Sequence, residues 1–190
     1  MERNGIPTTY HNYKFRSRLE AIWACFFDHL GWKWKYEPFD YDGYIPDFAL
    51  LFPAGHMLAE VKPCLSLEDL EVESTKLVNC PWERESIMLG VGPLENKGGE
   101  LCLGVMYGKN GDCCLADRAA LVKCVGHYGF TATDGGWGCR VEHHPNERSK
   151  DIWLGQSHNA DHDFLEKWAL AQNMVQWAPK MFGIDTAVSR

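Results

Sequence analysis

Asp47, Glu60 and Lys62 place two carboxylates and an ammonium group in one short stretch of chain. Glu60 and Lys62 are two positions apart in Leu58-Ala59-Glu60-Val61-Lys62, a run of β-favouring composition, so both side chains leave one face of a strand. Ala59 and Val61 then turn to the core. Asp47 follows Tyr44-Ile45-Pro46 and opens the apolar run Phe48-Ala49-Leu50-Leu51-Phe52, and Pro53-Ala54-Gly55 reads as a turn. A hairpin of the two runs carries Asp47 towards Glu60. Carboxylates are hard oxygen ligands for magnesium. A cation held by them bridges an attacking water and a phosphate oxygen, while Lys62 orients that water or stabilises the charge developing on the phosphate. Phosphodiester hydrolysis is the reaction such a set fits. The plainer alternative is two solvated residues on the polar face of an ordinary hairpin, and the order of elements around them weighs against it.

A helix must precede the hairpin. Over residues 14–30, Phe15, Leu19, Trp23, Phe26 and Leu30 recur every three or four positions, and Gly31 ends the run. Glu20 lies beside that stripe. Trp32-Lys33-Trp34-Lys35-Tyr36 alternates aromatic and basic residues as a half-buried strand would, and Pro38 closes it.

With Pro46-Asp47 and Glu60-Val61-Lys62 as its two halves, and Phe15-Arg16-Ser17-Arg18-Leu19-Glu20-Ala21-Ile22-Trp23-Ala24 as its first helix, the chain resembles the PD-(D/E)XK nucleases over about residues 10–80. The likeness is to the small phage and mobile-element members. It implies an α/β fold with a central mixed sheet flanked by helices around a restriction-endonuclease-like core. It implies catalytic roles for Glu20, Asp47, Glu60 and Lys62, and Mg2+ or Mn2+ held by Asp47, Glu60 and the backbone carbonyl of Val61. The implied substrate is nucleic acid, DNA before RNA. A nuclease fold kept as an idle module that binds nucleic acid or a host protein is the competing expectation.

Further along, Ser66 reads as the N-cap of a helix over residues 66–78, with Leu67, Leu70 and Leu77 on its apolar face. Residues 86–91 and 101–107 are continuously apolar, as strands buried on both faces are. Residues 163–177 have helical spacing, with Leu165, Trp168, Ala171 and Val175 on one side, and the His-rich residues 157–163 read as its polar approach.

Cys124-X2-His127 and Cys139-X3-His143 have the ligand types and short paired spacings of a four-coordinate zinc site, with His144 an alternative to His143. They would belong to a small ribbon insertion over residues 112–144, possible home of a structural Zn2+. Relatives of the resembled class carry cysteine where this chain has His127, and a loop of unrelated soft residues is the other reading.

The 190 residues suit one domain, 1–190. The formal net charge of -7 argues against a general nucleic-acid binder, which gains affinity by neutralising phosphates. An enzyme needs only a local basic rim, and Lys14, Arg16, Arg18, Lys33 and Lys35 supply one. No apolar run approaches the roughly 18 residues of a membrane span, and the first residues lack a signal-peptide core. The expectation is therefore a cytoplasmic protein with no membrane partner and reduced cysteines.

Overall fold

The computed structural model describes residues 5–52, 55–108, 117–124, 127–132 and 157–176. The chain is α/β, with an eight-stranded mixed sheet covered by helices on both faces. A hairpin of β1 (Thr8–Tyr10) and β2 (Tyr13–Phe15) comes first, turning through His11 and Asn12 at positive φ. Two successive left-handed residues suit the right-handed twist of paired strands. The helix α1 (Arg18–Leu30) follows, then β3 (Lys33–Tyr36), β4 (Phe48–Phe52) and β5 (Gly55–Val61). Two short helices, α2 (Leu67–Glu73) and α3 (Thr75–Asn79), lead to β6 (Ser86–Glu95) and β7 (Leu101–Tyr107). The described chain then supplies β8 (Asp117–Cys124), β9 (His127–Ala132), β10 (Ser157–Asn159) and α4 (Asp161–Met174).

β3, β4 and β5 form an antiparallel meander, and the crossover through α2 and α3 sets β6 parallel to β5. β7, β8 and β9 extend the sheet antiparallel. β10 pairs with Val122–Cys124 of β8, on the edge from which β7 has already departed. Cys124 and His127 therefore sit opposite one another in the main sheet, and β8 and β9 belong to that sheet although they lie inside the expected ribbon. Cys139, His143 and His144 lie outside the described residues.

Strand alternation divides the core in two. Phe48, Leu50, Met57, Ala59, Val61, Ile87 and Leu89 pack with α1 and α4, whereas Ala49, Leu58, Met88 and Val105 pack with α2 and α3. Glu60 and Lys62 have the parity of Leu58, so their face is covered by a second layer rather than left to solvent.

The first helix starts later than its apolar spacing predicts. Ser17 takes an extended conformation and its side chain accepts the Glu20 N–H, so Phe15 belongs to β2 and not to the helix. At the other end Gly31 is left-handed at φ 74°, the Gly31 N–H reaches the Asp28 carbonyl, and the Trp32 N–H reaches Phe27. This is the two-bond helix stop that glycine favours, completed by stacking of Trp32 on Phe27 at 5.9 Å. Further along, the expected helix over 66–78 is broken at Ser74 into two, while Ser66 caps as predicted by accepting the Asp69 N–H. On α4 the buried residues are Phe164, Trp168 and Ala171, with Val175 buried just past its end, and Leu165 faces solvent at 54% exposure. A one-residue error in helix phase accounts for Leu165.

Candidate active site

The three buried carboxylates of the described residues are Glu20, Asp47 and Glu60, and they gather at one end of the β3–β4–β5 meander. The ladder registers bring this about. Phe48 lies opposite Ala59 and also opposite Tyr36, so one further step sets Asp47 between Glu60 and Glu37. The Glu37 N–H donates to the Asp47 carbonyl at 2.9 Å, and the Asp47 N–H reaches Glu60 Oε2 at 3.4 Å.

Every carboxylate oxygen in the set accepts a bond. Asp47 Oδ2 takes the Val61 N–H at 2.7 Å, and Oδ1 takes Arg16 Nη2 at 2.5 Å. Glu60 Oε1 takes Lys62 Nζ at 2.8 Å, and Oε2 takes the Tyr44 hydroxyl at 3.0 Å. Glu20 Oε1 takes the Ser17 hydroxyl at 2.7 Å; its Oε2 takes the Tyr36 hydroxyl at 2.6 Å and the Arg16 N–H at 3.2 Å. Each carboxylate oxygen has two lone pairs, so these bonds orient the groups without exhausting them.

Charge is out of balance here. Burial, then the charges of Glu60 and Glu20, push Asp47 up to about 7, against the opposing pull of the Val61 N–H and Arg16. The Arg16 pair, with its side chain 57% exposed, is too well solvated to cancel the other two carboxylates. Burial pulls the Lys62 ammonium towards neutrality, but its bond to Glu60 and the charges of Glu60, Asp47 and Glu73 outweigh it, and its proton is held more tightly than usual. The Tyr44 phenol is driven up first by burial and then by Glu60, and Tyr36 by burial and its bond to Glu20, so both remain donors. A hard divalent cation would suit Asp47 and Glu60: it would take their oxygen donors and relieve their mutual repulsion, with Glu20 acting on Asp47 through its charge.

The structure brings Glu20, Asp47, Glu60, Lys62 and Arg16 together, and sets the Val61 N–H on Asp47. Glu20 has a second employment that sequence reading overlooked. Ser17-Arg18-Leu19-Glu20 has the spacing of a capping box, which was the available signal; Ser17 accepts the Glu20 N–H, while the Glu20 carboxylate takes the Ser17 hydroxyl and the Arg16 N–H in place of the Ser17 N–H. Arg16, grouped by sequence with the rim, stays largely exposed there but also bonds the buried Asp47. Tyr36 and Tyr44 were also missed. They carry no motif, because a phenol becomes a carboxylate donor only through register and loop path.

Lys14, Lys33 and Lys35 are exposed, with Lys33 and Lys35 opposite Leu51 and Ala49 and hence on the Asp47 side of the sheet by alternation. Arg18 is half-buried, and its Nε has no hydrogen-bond partner. His127 is exposed. Near the start of α4, His162, Asp163 and Glu166 have ligand atoms within 4.8 Å of one another, but Asp163 is already bound to Tyr128 at 2.5 Å. Among the described residues no helix is long and apolar enough to cross a membrane. No protein-family model, curated protein or solved structure matches the chain.

Proposed function

We propose that the protein is a metal-dependent nuclease that hydrolyses phosphodiester bonds, DNA before RNA, on a restriction-endonuclease-like core. The observation that carries this reading is that the buried carboxylates Asp47 and Glu60 adjoin, with Lys62 bonded to Glu60 and the charge of the buried Glu20 felt at Asp47. Burying a carboxylate costs several kcal/mol (about that order per ion) unless it is fully compensated, and a buried carboxyl group pushed up as Asp47 is marks a candidate site of chemistry. The helix α1 and the meander that carries Pro46-Asp47 and Glu60-Val61-Lys62 follow one another in the order of the segments on which the resemblance rests.

Asp47 and Glu60 offer the oxygens, with Asp47 held in place by the Val61 N–H and Glu60 by Tyr44. A magnesium or manganese ion held there would supply an activated water and a counter-charge for phosphate oxygen. Lys62, firmly protonated and 32% exposed, acts as a donor to the attacking water or the phosphate, not as the base. Glu20 fixes the start of α1 and adds its charge to Asp47.

One observation favours a second reading, an idle fold that binds nucleic acid or a host protein: Asp47 is already paired to Arg16. The two part company in one experiment. Single-stranded and double-stranded DNA and RNA are incubated with protein in Mg2+ or Mn2+. Lys62→Ala should lose cutting by about 100-fold or more and keep Mn2+ binding, whereas Asp47→Ala should lose both. If the unmodified protein cuts none of these, and binding to a partner survives both substitutions, the idle-module reading stands instead.

A further inference from the structure

The Arg16 guanidinium connects the buried carboxylates to solvent. Its Nε bonds Glu37 Oε1 at 2.9 Å and its Nη2 bonds Asp47 Oδ1 at 2.5 Å. Nε and Nη2 lie along one edge of the planar group, the edge that grips a carboxylate or a phosphate by two parallel bonds. Here the edge is shared between two separate carboxylates, one buried and one on the rim. The Arg16 backbone N–H is meanwhile fixed by Glu20 and Tyr36, so the residue is anchored at its main chain while its side chain is 57% exposed and has room to swing.

A divalent cation at Asp47 and Glu60 makes the charge that Arg16 supplies redundant, and two cations on one carboxylate repel. We propose that Arg16 is a resident counter-ion of Asp47, displaced when a divalent cation binds, and that the released guanidinium takes a phosphate group of the substrate. This rests on the nuclease reading of the site. Glu37 keeps the released group at the rim, where Lys33 and Lys35 share its side of the sheet by strand alternation.

The test compares the unmodified protein with Arg16→Met and Arg16→Lys. Mn2+ affinity is measured by electron paramagnetic resonance without nucleic acid. Affinity for a phosphorothioate oligodeoxynucleotide is measured in calcium across a salt series, and circular dichroism checks folding. Arg16→Met should bind Mn2+ several-fold tighter, because a competitor is gone. It should bind the oligonucleotide about tenfold more weakly, with a salt dependence shallower by about one ion. Arg16→Lys should restore the salt dependence but not the affinity, and should also bind Mn2+ more tightly than the unmodified protein; it carries the comparison if Arg16→Met does not fold. Equal or weaker Mn2+ binding by the variants overturns the exchange, and unchanged oligonucleotide affinity overturns the phosphate role. If the unmodified protein binds no Mn2+ and cuts nothing, the nuclease reading falls and this inference with it. If it binds and cuts while the variants match it, only the role of Arg16 falls.

Discussion

Asp47 is held from four directions: its N–H on Glu60, its carbonyl on the Glu37 N–H, and its two oxygens on Arg16 and Val61. Such fixing keeps a group in place even when its charge is unwelcome, and the consequence is a pH dependence of stability. The carboxyl rises from 3.8 unfolded to about 7 folded, so the folded state holds a proton that the unfolded state has lost. The stability it contributes is complete below the unfolded value and is lost as pH rises through the folded one. Urea unfolding in EDTA should therefore show the unmodified protein losing stability between about pH 4 and about pH 7 relative to Asp47→Asn, by at most roughly 1.4 kcal/mol per pH unit. Added Mg2+ should shrink that loss. Parallel pH profiles for the two proteins would mean that Asp47 is already ionised throughout.

At the scale of elements, the start of α1 controls where Arg16 and Glu20 stand. Ser17→Ala removes the acceptor for the Glu20 N–H and should lower stability by about 1 kcal/mol in urea titrations. Glu20→Gln should cost less than Glu20→Ala, since the amide oxygen can still accept from Tyr36 or from the Arg16 N–H. Equal losses for the two would show that the charge, rather than the acceptor, is what the helix start uses. The meander itself was legible in the sequence, because Glu60-X-Lys62 declares period two, the apolar run after Asp47 has the length of a strand, and a short link leaves one register. The β1–β2 hairpin was not legible. Phe15 falls in phase with the helical stripe that follows, and only the cap at Ser17 separates it from that stripe. Nor could local pattern show that the second layer covers Glu60, since α2 and α3 reach that face through tertiary packing. The β8–β9 hairpin is local, but its place in the main sheet comes from pairing of β8 with β7 and with the distant β10, so Cys124 and His127 read as a separate ribbon when taken alone.

Across the whole molecule, Trp23 ties the layers together. Its indole N–H donates to the Gly90 carbonyl at 2.8 Å, where the β6–β7 ladder is irregular between Leu89 and Leu94, and its ring meets Phe26, Phe27 and Trp168. One fully buried side chain thus joins α1, β6 and α4. Trp23→Ala should cost about 3–5 kcal/mol, a large part of the stability of a domain this size, whereas Trp23→Phe should lose less and retain the ring contacts. Chemical denaturation of both variants checks this. A loss below about 1 kcal/mol for Trp23→Ala would mean that the layers hold without it.

The residues gathered around Asp47 all lie between Arg16 and Lys62, in the first third of the chain. Their helix, however, packs on α4 near the other end through Trp23, Phe26, Phe164 and Trp168. During synthesis the meander can close on local contacts soon after it emerges, while the helix that carries Ser17 and Glu20 waits for more than a hundred further residues before α4 is available. For that interval the part of α1 that meets α4 is exposed to any other partner, and a helix made late completes the burial of one made early.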